Sequence, residues 1–200
     1  PDLYGKNSIL DFDENDPQEK ELLEDTFSVK EVGNQLSIIV GGRSVHAPMP
    51  TIGGFLRLPN INDLKNLVPK LLEIRPKVLK LIKIFTDAPY SLTPKEQIKY
   101  FGLVSEDFSF LEGILKSSDG NSLPTNELGK FLDGVIIPYS QARGFKLKGN
   151  IMMVGALARI NIGQDFLQQK TKTDTEHFLK LFPSNNLFHN NLAQAIEMLQ

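Results

Sequence analysis

The chain has 200 residues, of which 40% are hydrophobic, with 22 Lys and Arg against 24 Asp and Glu and a net charge of -2. A chain of this size buries a substantial core, and near-neutral charge provides no field to attract a phosphate backbone, so nucleic acid is excluded as a partner. It has no cysteine, which excludes disulfides, thiolate metal sites and a cysteine nucleophile within these residues, and no apolar run reaches the roughly 20 residues of a membrane-spanning helix.

In chain order, residues 11 to 31 carry nine acids against Lys20 and Lys30, the pattern of a solvated helix face. Asp16-Pro17-Gln18-Glu19 offers an N-cap, a first-turn proline and a capping-box glutamate, so a helix is predicted to start there. Leu22, Val29, Val32, Leu36 and Ile39 continue it at helical spacing, and Gly41-Gly42 stops it. The next stretch, IIVGGRSVHAPMPTIGGF over 38–55, packs Gly41, Gly42, Gly53 and Gly54, two prolines, Arg43 and His46 between apolar runs. Glycine and proline in such density build one fixed backbone shape, either a structural corner or a frame that holds Arg43 and His46 against something outside the chain.

Phe55, Leu56 and Leu58 suit a short extended lead-in. Apolar spacing from Ile61 to Phe85 predicts a helix, with Pro69 and Pro76 as kinks or breaks and a basic outer face of Lys65, Lys70, Arg75, Lys77, Lys80 and Lys83 that balances the acidic first helix. Phe101 to Val104, Phe110 to Lys116 and Phe145 to Arg159 read as strands, with turn chemistry at Ser118-Asp119-Gly120-Asn121 and a short helix over about 126–135. Helices are expected again over 164–170, 174–182 and 191–200. The reading is a helix-dominated α+β fold with a small antiparallel sheet in its centre: a helical part over 1–98, a β-containing part over 99–162 and a helical part over 163–200, all belonging to one larger subunit.

The three histidines, His46, His177 and His189, have no ligand spacing with one another or with a carboxylate, and no Walker loop, GxSxG or GxGxxG is present. What the chain does carry is a series of segments in a fixed order. Gly41-Gly42-Arg43-Ser44-Val45-His46-Ala47-Pro48 with Gly53-Gly54 resembles the GGR-x-hydrophobic-HP…GG segment of nickel-iron hydrogenase large subunits, especially the cytoplasmic multisubunit classes. Pro1-Asp2-Leu3-Tyr4-Gly5 is similar to the tail of that family's LPD-aromatic-x-G segment, and Pro138-Tyr139-Ser140 to its PHS or PYS segment. Val154 to Asn161 (VGALARIN) resembles VG-x-LAR-hydrophobic-N, and Asn190 to Glu197 (NNLAQAIE) resembles the N-x-x-AQAIE helix that follows. Two positions depart from the family: Gly134 stands where an acid precedes the PHS proline, and Arg143 stands in place of the following lysine.

The resemblance implies the central part of the subunit that oxidises or evolves dihydrogen. The nickel and iron of that family are held by two CxxC pairs, one before and one after the matched region, so the fragment alone is expected to bind no cofactor and to be inactive. It also implies an iron-sulfur small subunit as partner, together with the missing N- and C-terminal parts of the same subunit, a cytoplasmic location, and self-association of the fragment through surfaces that the parent buries. Arg43 and His46 would be donors near the small subunit on a frame of Gly41, Gly42, Gly53 and Gly54, and Asp2 would match an aspartate over the open face of the metal centre. Two alternatives stand beside it. The quinone-reductase subunit of respiratory complex I shares a GGR-like turn, although its GP-x-x-RxSG counterpart is not matched by Ala156 to Asn161; the other is a stand-alone protein-interaction domain.

Overall fold

The computed structural model describes residues 2–200, the side chain of Asp2 excepted, and the chain divides into two compact units, Pro1–Leu81 and Ile82–Gln200. In the first unit, helix α1 (Pro17–Gly41) starts where the local chemistry places it, with the Asp16 carboxylate accepting from the backbone N–H groups of Gln18 and Glu19 at 2.8 and 3.0 Å. The capping box does not close, because the N–H of Asp16 is already donated to the carbonyl of Asp13 at 3.0 Å. Glu19 instead accepts from the N–H of Asp13 at 2.6 Å and pairs with Lys6 at 2.9 Å.

Strands β1 (Pro50–Thr51) and β2 (Gly54–Phe55) form a minimal hairpin and lead into helix α2 (Ile61–Asp87). Of the expected kinks or breaks, neither Pro69 nor Pro76 makes a break in α2. Both prolines are exposed, and they lie seven residues apart, about two turns, so the carbonyls at 65 and 72 that lose an N–H partner share one wet side of the helix.

The basic face of α2 meets the acidic face of α1. Lys70 donates to Gln35 at 2.9 Å, Lys77 lies 2.9 Å from Ser28 and 3.4 Å from Asp25, and Lys80 reaches both Glu21 and Asp25, the latter at 3.0 Å. One number rises as the other falls, so the helices run antiparallel. Asp25 is buried and answered by two ammonium groups, while Glu21 first and Asp25 second hold Lys80 above its ordinary pKa.

The second unit is built on a six-stranded sheet of order β5-β4-β3-β8-β7-β6. Its strands are β3 (Lys99–Val104), β4 (Ile114–Ser117), β5 (Ser122–Leu123), β6 (Leu132–Val135), β7 (Gly144–Leu147) and β8 (Asn150–Met153). Helices α3 (Ala156–Gly163), α4 (Gln169–Leu179) and α5 (His189–Glu197) follow. The α+β class stands, with 47% helix against 14% strand and a small antiparallel hairpin in addition to this larger mixed sheet. All neighbours in the larger sheet are antiparallel except β3 and β8, which pair in parallel with Lys99 opposite Met152 and Tyr100 opposite Met153.

Three local expectations are corrected. Residues 126–135 are not a helix but a 3-10 segment (Thr125–Lys130) followed by β6, whose Gly134 and Asp133, both poor helix formers, pair with β7. The run from Phe145 to Arg159 is not one strand: Lys148 (φ 48°) and Gly149 (φ 73°) make a two-residue turn between β7 and β8, and Gly155 (φ 100°) ends the sheet. Beyond it the LAR segment is helical, and Ala156, Leu157, Ala158 and Ile160 are buried all round, which erases the amphipathic signal. In the C-terminal region the helices fall at 169–179 and 189–197, with only a 3-10 turn at Gln164–Phe166.

Strand β3 is covered on both faces. On one, Phe101, Leu123 and Leu147 form a buried cluster with Leu115, Phe131 and Met152 packed against it. On the other, α3 comes so close that a Cβ on Gly102 would stand 3.3 Å from the Cα of Arg159, and α3 and α5 are buried through Leu157, Ile160, Leu192 and Ile196.

Candidate functional site

The glycine-rich loop begins at the C-terminus of α1. Gly42 adopts φ 85° and its N–H returns to the carbonyl of Ile38 at 2.9 Å, an αL helix end that a side chain strains. The chain then folds back: Met49 donates its N–H to the carbonyl of Gly41 at 3.1 Å, and Leu56 donates to the carbonyl of Met49 at 2.8 Å. This closure leaves no room at its base, since a Cβ on Gly41 would lie 2.6 Å from the Cβ of Ala47 and one on Gly42 would lie 2.9 Å from the Met49 side chain. At the hairpin tip, Gly53 (φ 86°) and Gly54 (φ 148°) have open space around them and serve only the backbone.

On this frame the four residues Arg43, Ser44, Val45 and His46 are all exposed. His46 is held at φ 53°, a conformation that costs an L-residue about 1 kcal/mol or more. Among the described residues neither Arg43 nor His46 makes a hydrogen bond or ion pair, so the loop presents a guanidinium and an imidazole, three positions apart, to whatever lies outside. Apolar neighbours are presented with them: Val45, Ile52, Leu56 and Leu58 are 61%, 103%, 72% and 76% exposed.

The side chain of Asp2 lies outside the described residues; its backbone opens a 3-10 turn, Asp2–Tyr4. Pro138-Tyr139-Ser140 forms an exposed turn in which the Ser140 hydroxyl accepts the N–H of Ala142 at 3.1 Å, and Gly134 and Arg143 are exposed as well. Among the described residues no three His, Cys, Asp or Glu side chains converge to hold a metal ion. With no thiolate in the chain, the donor set does not fit a nickel-iron centre.

The remaining two matched segments are each other's partners in the second unit. Arg159 on α3 donates Nε and Nη2 to the two carboxylate oxygens of Glu197 on α5, both at 2.7 Å, and its guanidinium lies 4.9 Å from the centre of the Phe110 ring. Asn190, at the start of α5, accepts the Leu157 N–H at 3.2 Å and so caps α3 across the interface. The Asn161 carboxamide holds Ser184 through both its N–H (2.8 Å) and its carbonyl (2.9 Å). Ser184 in turn lies 2.8 Å from Nδ1 of His189, whose pKa burial pushes down. The sequence offered one signal for this lock: an arginine inside the apolar ALARIN run and a glutamate ending AQAIE each need a partner when their helices are buried.

No family model matches the chain. It is 26% identical over 201 residues to the sulfhydrogenase 1 subunit alpha of Pyrococcus furiosus, covering all of this chain and 46% of the relative. It is 25% identical over 199 residues to the sulfhydrogenase 2 subunit alpha of the same organism, again covering all of this chain and 45% of the relative. The chain therefore spans a little under half the length of the curated relatives it matches. Among solved structures, its fold superposes with a TM-score of 0.70 on an NAD+-reducing NiFe hydrogenase in the H2-reduced state, over 91% of this chain and 45% of that one at 22% identity. It superposes with a TM-score of 0.52 on a Dm. baculatum NiFeSe hydrogenase, over 96% of this chain and 50% of that one at 13% identity.

Proposed function

We propose that this chain, a homologue of the hydrogenase alpha subunits, is the central part of a nickel-iron hydrogenase large subunit, the subunit that oxidises or evolves dihydrogen. The observation that carries the reading is that both curated relatives align along the entire chain while extending well beyond it. The thiolates that hold nickel and iron then belong to the flanking parts of the subunit, and this segment alone binds no metal and turns over no hydrogen. This chain supplies a packed body and one presented loop to that subunit.

In that parent, Arg43 and His46 are hydrogen-bond donors facing the iron-sulfur small subunit. The Gly41, Gly42, Gly53 and Gly54 frame fixes where they stand, and the exposed Val45, Ile52, Leu56 and Leu58 form the apolar part of the same interface. Asp2, by its place in the LPD-like segment, is the carboxylate next to the metal centre. The enzyme is cytoplasmic in this reading, and among the described residues no helix is long and apolar enough to cross a membrane. Removed from its partners, the chain self-associates through the surfaces that they cover.

The experiment is made on the parent subunit assembled with its small subunit. His46→Ala should leave nickel content unchanged and reduce hydrogen-dependent viologen reduction by about 10- to 100-fold, the usual cost of losing a residue that supports a redox centre without ligating it. Wild-type turnover in that variant would refute the role of the loop, and stoichiometric nickel on the isolated chain would refute the reading of the segment as metal-free.

A further inference from the structure

A cleft of about 620 Å³ opens in the second unit, on the α3 side of the sheet. Its floor is set by strand alternation. Phe101 and Leu115 turn into the cluster on one face, so Tyr100, Lys116 and Ser118 turn to the other. The C-terminal half of α3, at Asn161 and Ile162, and the turn at Pro183 and Asn185 make the walls, and Glu96 and Gln97 stand at the rim.

Three features of this floor call for an acceptor. Tyr100 is 4% exposed, and among the described residues its hydroxyl has no hydrogen-bond partner. That oxygen is nevertheless not sealed off, since the described residues contain no fully buried side-chain N or O atom without a partner, and Tyr100 lines the cleft. Burial raises the phenol's pKa and keeps it a donor. Lys116 is half-buried, leans over the Phe166 ring with Nζ 6.0 Å from its centre, and has no carboxylate within ion-pair distance among the described residues. Ser118 Oγ accepts the Tyr100 N–H at 3.2 Å, which leaves its own proton to donate. The Asn161 carboxamide is committed to Ser184 and takes no part.

We propose that this cleft binds a small oxyanion, a carboxylate or phosphate group held between the Tyr100 hydroxyl, the Lys116 ammonium and the Ser118 hydroxyl. One cation and two neutral donors line the cleft, and charge-assisted hydrogen bonds from such a set select an anion over a neutral molecule. The rim carboxylate of Glu96 disfavours a second charge close to the mouth, which favours a ligand with a single anionic group. The proposal does not rest on the hydrogenase reading.

Titration of the chain with succinate and, separately, with inorganic phosphate, followed by calorimetry and by NMR, tests it. Saturable binding of one anion per chain is expected, and which probe binds more tightly identifies the group. Lys116→Met keeps the aliphatic stem over Phe166 and should weaken binding at least tenfold, Tyr100→Phe several-fold, and Glu96→Gln should tighten it, with far-UV circular dichroism unchanged. Absence of saturable binding in the millimolar range for both probes, or full affinity in Lys116→Met, overturns the site. If either variant does not fold, the wild-type titration decides: perturbation of the Tyr100 and Lys116 resonances supports the site, and perturbation confined elsewhere overturns it.

Discussion

Gly41→Ala isolates the close approach that shapes the glycine-rich loop. Gly41 is the last residue of α1 and has no positive φ, so the backbone accepts alanine there, and helix propensity alone would favour the change by up to about 1 kcal/mol. The new methyl, however, would lie 2.6 Å from Ala47 Cβ, whereas carbon atoms rest about 3.5 to 4 Å apart. A Cβ cannot swing aside, so the loop itself must retreat by about 1 Å. That retreat stretches the 3.1 Å bond from Met49 N–H to the Gly41 carbonyl. A lost hydrogen bond of about 1 kcal/mol and overpacking of about 1 to 3 kcal/mol outweigh the propensity gain and leave a net destabilisation of about 1 to 3 kcal/mol. Ala47→Gly removes the opposing methyl and costs about 0.5 to 1 kcal/mol through the unfolded chain. Urea unfolding followed by circular dichroism should therefore find the double variant more stable than Gly41→Ala alone, with a coupling of about 1 to 2 kcal/mol and unchanged slopes. Strictly additive effects, or a Gly41→Ala variant more stable than the parent, would refute the reasoning.

Glu197→Gln leaves the Arg159 guanidinium between α3 and α5 without its counter-charge; a loss of about 2 to 3 kcal/mol is expected in urea midpoints, reduced from the cost of a fully buried pair because Arg159 is 28% exposed. Asp25→Asn should cost about 1 kcal/mol by releasing Lys77 and Lys80, and added salt should shrink the difference from wild type; a salt-independent loss would point to packing instead. His189 has a folded pKa below its ordinary 6.5, so the unfolded chain binds the proton more readily. Its contribution to stability is complete above about pH 6.5 and is lost as pH falls from there through the folded value. Midpoints measured across that window should fall with acidification in the wild type and flatten in His189→Asn, and identical pH profiles would contradict the assignment.

Local chemistry made the first unit legible. Asp16-Pro17 marks a helix start whatever lies beyond it, and Gly41-Gly42 marks its end, because caps are satisfied by groups two or three residues away. The second unit hid where tertiary burial removed the pattern. No residue of helix α3 is fully exposed, so its alternating apolar residues read as strand, and β6 exists only because β7 pairs with it. In α2, position rather than composition decided the outcome: exposed prolines leave carbonyls to water, so the helix continues. The composition of the presented loop was visible in the sequence, but the 2.6 Å approach of Gly41 and Ala47 depends on how residues 42–49 return to α1. The partnership of Arg159 and Glu197 spans 38 positions, a separation that helical or strand periodicity does not encode.

The parallel pairing of β3 with β8 separates two kinds of tolerance to insertion. The intervening stretch, 105–149, leaves from the end of β3 and returns at the start of β8, at opposite ends of two parallel-paired strands, so the sheet sets where the excursion leaves and returns but not how long it is. Closing a longer excursion costs only about 0.6 kcal/mol for each doubling of its length, so insertions into the loops of this stretch are tolerated. From Gly155 onward the opposite holds. One residue added between Gly155 and Arg159 would rotate the guanidinium by about 100° around α3, away from Glu197, while the Asn190 carboxamide would meet the wrong N–H. Length variation within this fold should therefore accumulate between β3 and β8 and stop abruptly at the first turn of α3.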